Sequence, residues 1–353
     1  MNFITKFALV TFLCLMIPNS YSEETYTLKL VTSWGENFPV FSDSPKRVAA
    51  MVNAMSNGRL TIDIISADEH GQPLNIIEMV KSAEYDMGHS ASYYWKGNYP
   101  NTLYFSTMPF GMLPLEQYSW FYFGGGQELM DEVYNSLGLI SVPGGNTGAQ
   151  MGGWFQKRIK DVSSFDGLRM RIPGFAGEVL AELGAIPVNV PATELLDAMN
   201  SGEIQAVEYV GPALDFDLNL HLSAQFYYTG WHEPATETQF LLNEKALEIL
   251  PADLKAILYA AMRTSAYDTY IHATHLSAEK WNNMRKEFPV IRVKDFPDSV
   301  ISALKLANSK KLEEFSNSDP LAKKIIQSQL SYQSMIREWT MLSDFSYLES
   351  IGK

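Results

Sequence analysis

Residues 26–65 read YTLKLVTSWGENFPVFSDSPKRVAAMVNAMSNGRLTIDII, and this stretch decides the fold class. Its first six residues alternate between polar and apolar side chains, as a half-buried strand does. Ser44 and Pro45 then predict a helix start, with serine as the N-cap and proline at the first helical position. Asn57 and Gly58 predict the end of that helix, and a second alternating strand follows. Strand, helix and strand recur along the chain, which favours an α/β fold with parallel sheets covered by helices.

Two segments that lie 119 positions apart resemble each other. Glu78–Met87 and Asp197–Ala206 each read as the end of a helix, a turn and a strand. The similarity is either a chance likeness between two such units or the mark of two similar α/β lobes. A two-lobed protein binds its ligand in the cleft, at the carboxyl ends of the strands. The segments that follow, Gly88–Trp95 and Val207–Pro212, are therefore candidates for ligand contact.

The N-terminus predicts export from the cytoplasm. A lysine precedes the apolar run Phe7–Ile17, which is too short to span a bilayer about 30 Å thick. Small residues before a cut between Ser22 and Glu23 complete the pattern of a secretory signal peptide, residues 1–22. A buried N-terminal helix is the alternative. A leucine precedes Cys14 where a lipoprotein would carry a small residue, so no lipid anchor is expected.

Composition narrows the classes of function. The chain has 353 residues, 27 Lys+Arg, 40 Asp+Glu, one Cys and 46% hydrophobic residues, which excludes wholesale disorder. Removal of residues 1–22 leaves 331 residues without cysteine and, because Lys6 is lost, a net charge of −14. This acidic balance argues against nucleic acid and anionic membranes as partners. The missing thiol excludes cysteine catalysis and a disulfide scaffold.

Two long helices are predicted towards the C-terminus. The stretch from Pro251 to about Phe288 has no helix breaker after its first residue, which predicts a helix about 57 Å long that lies across both lobes. From Pro320 onward, apolar residues from Ile325 to Phe345 approximate a helical stripe. This stripe packs either on the parent body or against a partner helix.

Other familiar sequence motifs give little information about function. The sequence has no phosphate loop of the Gly-x-x-x-x-Gly-Lys type and no Gly-x-Ser-x-Gly nucleophile elbow. Gly124–Gly126 could hold an anion at a helix N-terminus, but a flexible helix entry is the favoured interpretation. His272 and His275 could share a metal on the long helix, yet no carboxylate surrounds them, and an ordinary surface or core pair is favoured.

The stretch Gly167–Gly174 predicts a strand that carries arginine to the cleft. Arg169 and Arg171 share one face of this strand, and the apolar residues share the other. Arg171 lies nearer the carboxyl end, where clefts of α/β proteins form. Its guanidinium could bind a carboxylate through two parallel hydrogen bonds. A solvated role remains the alternative, above all for Arg169.

Three dispersed oxygen donors suit a hard cation. Gln150, Glu208 and Glu233 each lie beside aromatic or glycine-rich sequence. Two carboxylates and an amide oxygen would suit Na⁺ or Ca²⁺, although solvated acidic residues are the common alternative. Tyr93–Trp95 and Trp231 supply aromatic wall material for a small organic ligand, or ordinary packing.

Longer blocks make a family resemblance visible. They are Trp34 with Asn37–Pro39, Met87–Trp95, Met108–Gly111, Gly124–Leu129, Gly145–Gly148, Met151–Phe155 and Glu208–Pro212. Together they resemble the extracytoplasmic solute-binding subunit of tripartite ATP-independent periplasmic (TRAP) transporters. The resemblance covers nearly the whole mature chain, and it is strongest to the branch that binds 2-oxo acids or related monocarboxylates such as pyruvate or lactate.

The resemblance implies a set of site residues. Arg171 matches the arginine that meets the substrate carboxylate. A metal cation, Na⁺ or Ca²⁺, bridges ligand and protein in this branch. Its side-chain ligands correspond to Gln150, Glu208 and Glu233, and a main-chain oxygen comes from Tyr209. Gln150 and Glu208 thereby also border the substrate.

Further positions of the site show both matches and departures. Tyr94 and Asn146 would help to hold ligand oxygens, and Trp231 would line the pocket. Tyr209 stands where the family often has tryptophan, which retains the carbonyl but changes the pocket wall. His232 departs from the expected Trp-Trp-Glu sequence. These departures leave the identity of the carboxylate open.

The resemblance also implies a domain organisation. Lobe I is expected to comprise residues 23–146 with part of about 231–260. Lobe II is expected to comprise 147–230 with part of about 261–319. A hinge joins the lobes, which close over the ligand. Some members of this branch dimerise through a C-terminal helix, which fits residues 320–353.

The expected function is a periplasmic receptor that delivers a monocarboxylate to TRAP membrane permease subunits and does no chemistry. The two protein carboxylates and the ligand carboxylate carry three negative charges. Arg171 and the cation balance two of them with Na⁺ and three with Ca²⁺. The alternatives are a sensor or receptor for another organic acid, and a secreted hydrolase that uses Glu208 and Glu233 as an acid/base pair.

Overall fold

The structure, a computed structural model, describes residues 24–190 and 192–352. The predicted signal peptide, residues 1–22, lies outside the described residues. Within them, no helix is both long enough and apolar enough to cross a membrane.

Helices and strands alternate through most of the chain. The strands are β1 (Tyr26–Thr32), β2 (Leu60–Ile65), β3 (Met87–Ser90), β4 (Leu139–Asn146), β5 (Gly153–Phe155), β6 (Arg169–Arg171), β7 (Ile186–Val188), β8 (Ala206–Val207), β9 (Phe226–Tyr228), β10 (Glu237–Asn243) and β11 (Arg292–Lys294). The α-helices are α1 (Asp43–Met55), α2 (Ala67–His70), α3 (Ile76–Lys81), α4 (Pro114–Phe123), α5 (Gly126–Tyr134), α6 (Gly174–Ala181), α7 (Leu195–Ser201), α8 (Pro212–Asp215), α9 (Glu244–Glu248), α10 (Ala252–Glu287), α11 (Asp298–Ser318), α12 (Pro320–Thr340) and α13 (Ser346–Ile351).

The strands form two sheets. The first has the order β2-β1-β3-β10-β4, and the second has the order β11-β9-β5-β8-β6-β7. The expectation of parallel sheets is wrong for one strand in each, because β10 runs antiparallel to β3 and β4, and β5 runs antiparallel to β8 and β9.

The two reversed strands follow from the route of the chain. It passes between the sheets twice without a helix, through residues 147–152 and 229–236. A chain that leaves one sheet at the carboxyl end of a strand and enters the other sheet directly must run opposite to its new neighbours. Parallel neighbours need a longer crossover connection.

The two similar sequence units have the predicted local structure. Each contains the end of a helix, α3 or α7, and then a strand, β3 or β8. Their turns also correspond, because Ala83 and Gly202 occupy equivalent positions and have φ angles of 61° and 78°. The N-cap prediction for the first long helix is wrong. Helix α1 begins at Asp43, so Ser44 lies inside it and donates a hydrogen bond to the Gly144 carbonyl oxygen.

The predicted long helix is α10, with 36 residues and a length of about 54 Å. Leu258 and Met262, in its first half, belong to the core beneath the first sheet. Met284, near its end, belongs to the core beneath the second sheet, together with Trp154. The helix therefore links the two halves of the molecule, as predicted.

The predicted C-terminal stripe divides into two parts. Ile325 is buried against the body, and Arg337 binds the Glu116 carboxylate through Nε and Nη2 at 2.8 and 2.7 Å. Trp339, Leu342 and other apolar side chains further along are exposed. Packing on the parent body thus accounts for the first part of the stripe only.

The glycine-rich turn precedes a helix, as predicted, but the expectation that no carboxylate surrounds His272 and His275 is wrong. Gly125 has a φ angle of 84° and precedes the first residue of α5. Exposed His275 lies 3.8 Å from the carboxylate of Glu279, and His272 lies 3.5 Å from that of Asp43.

Candidate functional site

Two neighbouring parallel strands bring Arg171 and Glu208 together. Arg171 is the last residue of β6, and Glu208 directly follows β8, whose Val207 pairs with Arg171. The Arg171 Nη1 atom donates a hydrogen bond of 2.6 Å to the Glu208 carbonyl oxygen and lies 3.5 Å from its carboxylate. Arg169 points elsewhere, because its Nε donates to the Glu203 carbonyl oxygen at the half-exposed edge of the strand.

The two segments that cross between the sheets bring Gln150 and Glu233 together. The Gln150 backbone N–H donates a hydrogen bond of 2.9 Å to the Glu233 backbone carbonyl oxygen. Gly230 packs so closely that a Cβ at this position would lie 1.9 Å from the Gln150 carbonyl oxygen. Only glycine allows this approach of two backbones. The Gln150 side-chain nitrogen donates to the Thr147 and Thr236 hydroxyl oxygens, both at 3.0 Å.

The end of β8 and the second crossing segment together bury a compact group of side chains that could bind a metal. Glu208, His232 and Glu233 can each offer one ligand atom, and these atoms all lie within 4.8 Å of one another. The exposed fractions of the three residues are 1%, 0% and 3%. Among the residues that the structure describes, this is the cluster of histidine and carboxylate groups that fits one metal ion.

Burial perturbs the protonation of the cluster. Burial raises the pKa of Glu208 to about 8, opposed by the charge of Arg171. Burial, together with the negative charge of Glu208, raises the pKa of Glu233 to about 7. Burial also lowers the pKa of His232 to about 4. Two carboxylates held this close without a cation resist simultaneous ionisation, which a bound cation would relieve.

Several polar atoms of the cluster are left without a hydrogen bond. Gln150 Oε1, Glu208 Oε1, Arg171 Nε and both ring nitrogens of His232 are buried and have no hydrogen-bond partner among the described residues. Buried polar atoms are normally satisfied, so unpaired ones call for a ligand, an ion or water. Oxygen acceptors on one side and a guanidinium donor on the other fit a cation and an anion bound together.

Aromatic rings enclose this polar cluster. The Tyr209 ring centroid lies 5.0 Å from the Arg171 guanidinium carbon. Phe38, which follows β1, meets the Tyr209 ring edge-on at 6.2 Å and so spans the space between the two sheets. Tyr94 lies in a short 3₁₀ helix after β3, and its ring contacts Tyr93 at 4.8 Å. Burial raises the pKa of Tyr94, and the charge of Arg171 opposes this rise.

Asn146 and Trp231 lie beside the crossing segments. The Asn146 amide donates to Gln117 at 2.9 Å and to Glu237 at 3.2 Å, and its oxygen accepts from the Gly148 amide nitrogen. Its hydrogen bonds are thus formed within the protein. Trp231 packs against Phe110 and lines a surface cavity of about 390 Å³ that also reaches Gln150 and Glu233.

Sequence reasoning missed two contributors to the site. His232 departs from the sequence expected of the family, and the structure places it in the cluster with Glu208 and Glu233. Asp215 was not singled out, although its carboxylate accepts hydrogen bonds from the Val210 and Gly211 amides at 3.1 and 2.9 Å. It thereby shapes the loop that follows Glu208. The only early signal for His232 was its position directly before Glu233.

Comparison with protein families assigns the chain. The model of the DctP family, described as bacterial extracellular solute-binding protein, family 7, matches residues 30–319. The chain belongs to this family. DctP-family TRAP receptors are periplasmic, and they are solute-binding receptors rather than enzymes. The predicted family and the predicted two-lobed α/β fold are confirmed.

Individual relatives of this DctP-family chain are similar to it in sequence over about 90% of its length. A monocarboxylate 2-oxoacid-binding periplasmic protein of Nostoc sp. is 32% identical over 320 residues, which cover 90% of this chain and 87% of the relative. A TRAP periplasmic solute-binding protein from Colwellia psychrerythraea, with bound calcium and pyruvate, is 51% identical. The match has a TM-score of 0.92 and covers 93% of this chain and 100% of that one.

A second solved structure differs in its cation. The TRAP periplasmic solute-binding protein from Pseudoalteromonas atlantica T6c, with bound sodium and pyruvate, is 52% identical. The TM-score is 0.90, and the match covers 93% of this chain and 99% of that one. Similar proteins therefore hold the same anion with a monovalent or a divalent cation.

Proposed function

We propose that this DctP-family protein is a TRAP receptor that captures pyruvate, or a related 2-oxo or 2-hydroxy monocarboxylate, together with Na⁺ or Ca²⁺. The observation that carries the proposal is the buried arrangement of one guanidinium, two carboxylates and an amide oxygen with unpaired atoms. The pyruvate bound by two relatives of about 50% identity supports the choice of ligand.

The residues have separate roles in this proposal. Arg171 holds the ligand carboxylate through donors that have no other use, such as its Nε atom. Gln150, Glu208 and Glu233 hold the cation with their side chains, and Tyr209 contributes its main-chain oxygen. When bound, the cation offers a positive charge to the carboxylate and keto oxygens of a 2-oxo acid.

Tyr94, Asn146 and Trp231 complete the proposed pocket. Tyr94 faces the ligand from the lobe opposite Arg171. Asn146, held by Gln117 and Glu237, supports the crossing segment that carries Gln150. Trp231 forms part of the wall beside Glu233.

Closure of two lobes would trap the ligand. We assign residues 23–146, with part of 231–260, to lobe I, and 147–230, with part of 261–319, to lobe II. The membership of the two sheets supports this division, since β10 belongs to the first sheet and β11 to the second. Contacts between the lobes include the ion pair of Lys96 and Glu178.

Calorimetric titration of chelated protein with pyruvate and lactate, each with Na⁺ or Ca²⁺, tests the proposed site. Arg171→Ala should lose at least about 30-fold in affinity, because truncating one partner of a buried charge pair costs roughly 2–5 kcal/mol. Arg169→Ala on the same strand is the matched control and should bind normally. Full affinity in Arg171→Ala would refute the site. Mass spectrometry should recover the ligand unchanged, since turnover would indicate an enzyme.

Export and delivery are part of the same proposal. Residues 1–22 would be removed in the periplasm, and the mature receptor would pass its ligand to TRAP permease subunits. N-terminal sequencing of the periplasmic protein should begin at Glu23. Uptake of labelled pyruvate by a strain without the receptor should return only when receptor and permease subunits are both present.

The C-terminal segment, residues 320–353, is proposed to join two copies of the chain. Support comes from exposed apolar side chains near its end, such as Leu342 and Leu348, which are 70% and 62% exposed. Sedimentation should detect a dimer, and the double change Leu342→Asp and Leu348→Asp should convert it to monomer. Leu306→Asp, at an equally exposed position on α11, is the control. A monomeric wild-type protein would refute this part.

A further inference from the structure

His232 is a buried imidazole whose place in the fold calls for a ligand. The residue is fully buried between Trp231 and Glu233, and neither ring nitrogen has a hydrogen-bond partner in the described part of the chain. Tryptophan, which the family resemblance leads one to expect here, would not offer a lone pair to a cation. Histidine therefore adds a nitrogen donor to a site otherwise built from oxygen.

The nearest polar neighbour of His232 does not satisfy it. Its Nε2 atom lies 3.2 Å from Glu208 Oε1, but the angles between the two groups do not allow a hydrogen bond, so both atoms stay unpaired. Two ligands that are each about 2.1 Å from one ion lie about 3.0 Å apart in octahedral geometry and about 3.4 Å apart in tetrahedral geometry. The observed spacing therefore suits two atoms that share an ion.

The other donors lie within the same small volume. Glu208, His232 and Glu233 each offer one ligand atom, and these three atoms all lie within 4.8 Å of one another. Gln150 Oε1 is unpaired in the crossing segment whose backbone bonds that of Glu233. The charged groups near the imidazole are thus the carboxylates of Glu208 and Glu233 and the Arg171 guanidinium. A lone pair of the unpaired imidazole and the oxygens of the two carboxylates can all point at one cation, which would satisfy these buried atoms together.

We propose that His232 is a nitrogen ligand of the cation, and that it makes this site prefer a first-row divalent ion such as Co²⁺ or Zn²⁺ over Ca²⁺. This inference rests on the cation site of the proposed function. Imidazole suits these borderline metals, whereas Na⁺ and Ca²⁺ favour oxygen. A mixed oxygen and nitrogen set would therefore distinguish this receptor from one with an all-oxygen site.

The test measures Co²⁺ and Ca²⁺ binding to the full mature chain, with and without pyruvate. All variants carry His275→Ala, because exposed His275 could bind Co²⁺ on its own. His232→Phe should weaken Co²⁺ binding by at least about 100-fold and alter its visible absorption spectrum, since a direct ligand is lost. Ca²⁺ binding should change by less than about threefold, since Ca²⁺ relies on the oxygen ligands.

A second variant protects the test against misfolding. His232→Gln offers an oxygen in place of nitrogen and should retain Ca²⁺ binding while losing the preference for Co²⁺. An unchanged ratio of Co²⁺ to Ca²⁺ affinity in both variants would overturn the inference. Equal loss of both metals would also overturn it, because His232 would then act on the anion or on the fold.

The two proposals fail separately. If pyruvate does not bind but Co²⁺ alone still depends on His232, the proposed substrate is wrong and the metal ligand is supported. If pyruvate binds with Ca²⁺ and Co²⁺ binding ignores His232, the proposed function is supported and this inference is overturned.

Discussion

Removing the cation should make the protein lose stability as the pH rises, opposite to the usual behaviour of acidic side chains. The buried pair Glu208 and Glu233 has pKa values raised to about 8 and about 7. The folded, cation-free protein therefore retains protons that the unfolded chain releases above a pH of about 4.5. The slope of unfolding free energy with pH is then negative, because the folded state binds more protons.

The magnitude follows from the shifts. Raising the pKa of Glu233 from 4.5 to about 7 corresponds to about 3 kcal/mol, since one unit is worth about 1.4 kcal/mol. This contribution is complete below a pH of about 4.5 and is lost as the pH rises through 7. Glu208 adds a loss of the same sign that extends to about pH 8. A bound cation displaces these protons, so its affinity should rise with pH over the same range.

Urea denaturation of chelated protein at several pH values measures the first effect. Stability should fall from about pH 5 to about pH 8, and saturating Ca²⁺ with pyruvate should reverse that fall. Calorimetric titration in buffers of different ionisation enthalpy should detect proton release on cation binding near pH 6.5. Glu233→Gln should reduce both effects. Chelated protein that becomes more stable towards pH 8, or cation binding without proton release, would refute the reasoning.

Three further changes test how the structure supports the site. Asp215→Asn places an amide NH₂ donor against the Trp154 Nε1 donor or the Val210 backbone N–H donor. The lost hydrogen bond should lower the free energy of unfolding by about 1–3 kcal/mol and weaken pyruvate binding in calorimetry. Lys96→Met removes the partly exposed ion pair between Lys96 and Glu178. Because such pairs contribute roughly 0–1 kcal/mol, pyruvate dissociation should become less than about fivefold faster in stopped-flow measurements. Arg337→Ala should lower the melting temperature but leave pyruvate affinity unchanged, and an affinity loss would link the C-terminal helix to the site.

Part of the site follows from local pattern. Arg171 ends a short strand, and Glu208 follows another strand at its carboxyl end. Parallel neighbours put such ends side by side, so their meeting was predictable once the strands were recognised. Gln150 and Glu233 were only weak candidates from their oxygen donors, and the family resemblance strengthened their proposed role, because neither residue lies on a strand or helix with a readable period.

The errors have a common origin. Ser44 resembles an N-cap in sequence, but the helix extends to Asp43, and the Ser44 hydroxyl bonds a carbonyl 100 residues away. The antiparallel direction of β5 and β10 depends on where the chain crosses between sheets. Local propensity contains no information about either contact.

The amino-acid sequence by itself determined the alternation of strands and helices, the long helix α10 and the arginine at a strand end, because each depends on side-chain period and on turn residues a few positions apart. Only the tertiary structure decided that Glu208, His232 and Glu233 share one buried cluster. Their protonation and their capacity for a cation come from burial, which is created by segments far apart in sequence. For the same reason a chain with 40 Asp+Glu and 27 Lys+Arg could offer an anion the proposed site, since one buried arginine and a bound cation would set the local field.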